Sequence, residues 1–178
     1  MGLKRFVVGM LALSTGASLG GELTDFVAAE AGAESCWQRI YDAEHLAGHP
    51  NQKVTQMTFG IGFQPPEDDI ADEEGLFLFG LAAGLRDGAK GVASGGCWVH
   101  EGTARCGVDC DGGSVLIEKR ADGKLLIDLE ATGYIVLESE CGGSGVYETF
   151  VLEPGLDDKQ FLLSPADAKV CKGLVPTW

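Results

Sequence analysis

Met57-Thr58-Phe59-Gly60-Ile61-Gly62-Phe63 decides how this chain is read. Large apolar side chains alternate with small ones. The period is therefore two, and the stretch is a strand with one bulky face and one nearly bare face. Glycines along one face of a strand mark strong bending or close approach by another backbone. A small closed or tightly coiled sheet requires such features.

Further strand candidates follow at short intervals: 76–81, 91–99, 104–109, 114–119, 125–129, 134–138, 146–152 and 160–163. Turn signals separate them: Arg86-Asp87-Gly88, Asp111-Gly112-Gly113, Asp122-Gly123, Thr132-Gly133 and Cys141-Gly142-Gly143. Asp-Gly between alternating runs is a strong hairpin signal. Short strands with almost no helical periodicity between them predict a sandwich or an up-and-down barrel. Tight turns make neighbouring strands antiparallel, and a meander is the economical way to connect them. The predicted fold is all-β, a small antiparallel meander barrel of about eight strands, calycin-like in shape. A short N-terminal helix over 37–46 precedes it, with Trp37, Ile40 and Tyr41 near one face and Pro50-Asn51 at its end.

The chain opens with Lys4 and Arg5, runs apolar from Phe6 to Leu13 and stays small and uncharged to Gly20. That pattern predicts a secretory signal over 1–20, with cleavage as late as residue 33 at Ala31-Gly32-Ala33. The apolar run is shorter than the roughly 20 residues a membrane span needs, so no membrane association is expected after cleavage. Residues 21–35 read as a flexible lead-in, and 36–178 as a single domain. The expected location is periplasmic or extracellular.

The six cysteines all lie downstream of that segment, and an even count in an exported chain predicts disulfides. Cys97 and Cys106 flank a hairpin turn at Glu101-Gly102 and are equidistant from its centre. Cys36 and Cys171 lie near the two ends of the mature chain. Cys110 and Cys141 remain as the third pair. Zinc is the competing reading of Cys106 and Cys110, but the chain has no second close cysteine pair.

Twenty-seven acidic residues against 13 basic ones give a formal charge of −14. Such a chain repels phosphate backbones, which excludes nucleic-acid binding. The same charge suits a basic protein partner or a cation, and the run from Glu67 to Glu74 concentrates it. That run lacks the alternation of a calcium loop, and Asp109-Cys110-Asp111-Gly112-Gly113 reads as a tight turn.

His45 and His49 are four apart, and Asp42 stands three before His45, so a helix could bring them together on a metal. Gly48 and Pro50 weaken the helix where His49 must sit. Asp157-Asp158 reads as a turn before the last strand. Downstream of residue 20 the sequence has no Gly-x-Ser-x-Gly elbow and no phosphate loop, so neither enzyme activity nor a cofactor is expected. The expected function is binding of a small apolar or amphipathic molecule inside the barrel, lined by Phe59, Ile61, Phe77, Phe79, Leu126 and Phe150. Docking of a basic partner by an acidic interaction or inhibitor protein, and metal binding or metal-dependent catalysis by His45 and His49, are the alternatives.

Overall fold

The alternating stretch is the middle of a barrel strand in a computed structural model that describes residues 22–66, 75–138 and 149–177. In chain order the strands are β1 (Glu34–Ile40), β2 (Val54–Gln64), β3 (Leu76–Leu85), β4 (Lys90–His100) and β5 (Thr103–Gly107). They continue with β6 (Ser114–Lys119), β7 (Leu125–Asp128), β8 (Ile135–Glu138), β9 (Thr149–Leu152) and β10 (Gln160–Pro165). One helix, α1 (Ala43–Gly48), joins β1 to β2.

β1 to β7 pair in succession, each antiparallel to the next. β10 then pairs with β7 on one side and β1 on the other, which closes a ring of eight strands. β8 and β9 form a hairpin beside β4, where Val92 lies opposite Glu138. The protein is an all-β meander barrel, as the strand spacing predicts. Its two rims differ. The helix rim carries α1 and the hairpin, and the tail rim carries residues 22–33 and 166–177.

Register sorts the side chains by face. Trp37, Phe59, Leu81 and Ala93 form one row across β1 to β4, and all are buried. Their outward neighbours Gln38, Thr58 and Ala82 form the next row. Phe59 and Phe79 stack at 5.9 Å between ring centroids inside the barrel. Met57, Ile61, Ile127 and Phe161 fill the space around them and are almost wholly buried. The Trp37 indole donates to the Gly123 carbonyl at 2.8 Å, so its one polar atom is satisfied. Eight strands enclose a volume that side chains alone can fill.

Two disulfides staple the barrel. Cys97 and Cys106 face each other across β4 and β5, 4.0 Å apart at Cα. The hairpin between them turns at Glu101 (φ 51) and Gly102 (φ 75), and two positive φ angles match the right-handed twist of the flanking strands. Cys36 and Cys171 join the first barrel strand to the tail. Cys110 has no disulfide partner among the described residues, and Cys141 lies outside them.

The bare face of β2 is covered by the chain's own C-terminal strap, residues 171–177. A Cβ on Gly80 would lie 2.0 Å from the Leu174 carbonyl oxygen, and one on Gly60 would lie 2.9 Å from Val175 Cγ2. The glycines therefore form a trough that only a sheet without side chains offers. Gly80→Val is expected to lower stability by about 1–3 kcal/mol through overpacking. It should also expose the bond after Lys172 to limited trypsin digestion. A variant that melts and resists trypsin like the parent would show that the strap is not seated there.

Two sequence expectations change. Residues 37–40 are strand, and the helix begins only at Ala43. Helical spacing of Trp37, Ile40 and Tyr41 is overridden because β1 is paired on both sides, by β2 and β10. The lead-in is ordered from residue 22: Leu23, Phe26 and Val27 enter the core, and Glu34 already belongs to β1. The predicted signal over 1–20 and the acidic run Glu67–Glu74 lie outside the described residues.

Candidate functional site

The lumen residues fall into three groups. Phe59, Ile61 and Phe79 are 0% exposed and pack on one another, so they are barrel core. Phe77 and Phe150 are half-buried at its margins, Phe77 against Phe63 and Phe150 beside Gly91. Leu126 departs from the expectation. Leu125 and Ile127 point inward, and Leu126 lies on the outer face opposite Leu162 and Glu118. Three apolar residues in a row carry no alternation, so the sequence could not say which faced in.

The open cavity lies outside the barrel, at the tail rim. It encloses about 560 Å³ between the ends of β2 and β3, the start of β1 and the strap. Phe63, Pro65, Pro66, Leu78, Val175 and Pro176 give it apolar walls, and Glu34 is the one charged residue among them. The volume falls within the range of small-molecule sites. A cleft of the same volume at the helix rim, between Pro50–Lys53, Leu85–Asp87 and Gly155–Leu156, is walled mainly by loops.

The predicted metal residues hold α1 in place. Asp42 caps the helix, its carboxylate accepting from the His45 amide at 2.8 Å. His45 Nε2 shares a hydrogen bond with Gln52 Oε1, and His49 Nδ1 with the His45 carbonyl. The two imidazoles stack at 4.2 Å. Among the described residues, no group of three His, Cys, Asp or Glu is placed to hold a metal ion. Asp109 to Gly113 form a turn, with Cys110 at φ 59 and Gly113 at φ 73.

The imidazole stack belongs to a longer column that sequence reasoning missed. Tyr41 lies 4.7 Å from His45, and the Arg39 guanidinium lies 5.0 Å from the Tyr41 ring centroid. Beside the column, Arg86 donates to the carbonyls of Leu46, His49 and Gln52. Asp158 is 1% exposed and accepts from the amides of Lys53 and Val54. Burial pushes the Tyr41 phenol above the ordinary tyrosine value of 10.0, the Arg39 charge lowers it, and the Asp158 charge raises it further.

The fold and its staples define a disulfide-bonded, closed eight-stranded antiparallel barrel. The chain matches no protein-family model, no curated protein and no solved structure. Among the described residues no helix is long and apolar enough to cross a membrane. With the two disulfides, this is compatible with export.

Proposed function

We propose that the protein is an exported, non-enzymatic binding protein of the periplasm or extracellular space. The stapled barrel is its rigid scaffold. Its ligand is a small apolar or amphipathic molecule, held in the tail-rim pocket instead of the lumen. One observation carries this reading: the lumen is packed with aromatic and aliphatic side chains, while the apolar pocket beside the strap is open. Apolar walls with few polar groups are what such ligands need. The walls come from the sheet and from a strap covalently tied to it, so the site is held nearly preformed.

A neutral fluorescent probe, N-phenyl-1-naphthylamine, tests it, because the probe is not repelled by an acidic surface. The parent protein should show one saturable site. Leu78→Asp and Val175→Asp should each weaken binding at least about tenfold, since one charge in an apolar wall costs a few kcal/mol to desolvate. Thermal melting of each variant checks its fold. Non-saturable binding, or binding that neither variant alters, would remove the pocket as the site.

A further inference from the structure

We propose that Arg39 and Tyr41 form an oxyanion-binding site in the helix-rim mouth of the barrel. The site is independent of the tail-rim pocket, at the opposite end of the strands.

Arg39 pairs with Met57 and lies two residues after Trp37, so it stands on the inward face of β1. An inward arginine in a strand of a packed barrel is costly unless something receives its hydrogen bonds. Here none of the described residues does. Arg39 Nε is fully buried and has no hydrogen-bond partner. Among the described residues the ion pairs are Arg120 with Glu118 and Lys159 with Glu130, so Arg39 is joined to no carboxylate among them. The Tyr41 hydroxyl likewise makes no hydrogen bond to the described residues, although the ring packs against the core.

Arg39 is nevertheless held in place. The Tyr41 ring supports the guanidinium, His45 supports Tyr41, and His49 stacks on His45. A cation–π contact of this kind fixes the guanidinium plane without using its N–H donors. Asp158, whose charge acts on the Tyr41 phenol, has both of its oxygens accepting from backbone amides. The result is a planar fork of donors, half-buried, with a phenol beside it and no acceptor among the described residues. That is the arrangement that receives a carboxylate or phosphate group in two parallel hydrogen bonds. The acidic remainder of the surface does not forbid it, because charges beyond about 10 Å are largely screened at moderate salt.

Arg105 supplies an internal control. Its Nε is also buried and unpartnered, but it lies on the outer face of β5 opposite Trp98, away from the mouth.

The test follows the arginine Nε–H signals of the whole disulfide-bonded protein by NMR while inorganic phosphate, or separately sodium acetate, is added. The Arg39 signal should move saturably and the Arg105 signal should stay. Saturation by phosphate alone assigns a phosphate ligand, by acetate alone a carboxylate ligand, and by both a general oxyanion site. Arg39→Lys should weaken binding at least about tenfold, since an ammonium keeps the charge and loses the fork. Tyr41→Phe should weaken it several-fold while leaving the core packing in place. The wild-type titration decides even where a variant fails to fold. No saturable movement of Arg39 with either anion, or equal movement of Arg39 and Arg105, would overturn the proposal.

Discussion

Removing the Cys36–Cys171 bond is expected to cost about 5 kcal/mol, roughly twice the loss from removing Cys97–Cys106. A disulfide acts largely by restricting the unfolded chain, and the restriction grows with the logarithm of the loop it closes. The two bonds close loops of very different length, with sequence separations of 135 and 9. Loop-closure entropy gives about 5 kcal/mol for the first and about 2.6 kcal/mol for the second. The long bond also anchors the strap in the glycine trough, so its loss frees residues 171–177 as well. Urea unfolding of Cys36→Ser/Cys171→Ser and of Cys97→Ala/Cys106→Ala would measure both. If the two double variants lost equal stability, or the hairpin bond proved the more important, the account of the staples would fail.

Phe59→Ala is expected to cost about 3–5 kcal/mol, because it removes a fully buried ring and leaves a void where the barrel cannot collapse. Phe59 stacks on Phe79, lies 6.4 Å from the Trp37 ring centroid and is 0% exposed. Ring closure prevents the strands from moving inward independently, so relaxation is limited. Urea unfolding gives the loss directly. Benzene should stabilise the variant and leave the parent unchanged, since dry apolar voids of this kind accept such guests. A loss below about 1 kcal/mol would mean that the lumen is not packed as described, and ligand binding inside the barrel would regain its force.

The strands were legible because their signals are local. Alternation over Met57–Phe63 and the turn pairs Glu101-Gly102 and Asp122-Gly123 each report on a few adjacent residues. Even the trough was foreshadowed, since glycines on one face called for close approach by backbone. Which segment would approach was not legible, because the strap lies far from β2 and β3 in sequence and reaches them by tertiary packing and by the long disulfide to β1. β1 was misread for the same reason. Its identity as a strand depends on pairing with β2 and with β10, near the other end of the chain, and local spacing favoured a helix instead. The tail-rim pocket draws on four separated segments, and no single one carries a signature. Tyr41 read as part of a helix face, and Arg39 carried no signal of its own, until register placed both at the mouth. Asp157 and Asp158 looked alike in sequence. Only the second is buried, and its carboxylate ties the start of β2 to the entry of β10.

Because β10 is the piece that shuts the ring, the architecture also dictates the order of events during biosynthesis. β1 lies next to Pro165 in the finished protein, so its outer edge stays open until nearly the whole polypeptide has emerged. A topology that needs such a distant pairing to close matures slowly and exposes its apolar strands meanwhile. The closing cysteine comes later still, at position 171, so the long covalent tie is among the last bonds an oxidising machinery could form. A ribosome stalled before β10 would therefore present an open, aggregation-prone sheet instead of a partly finished cylinder.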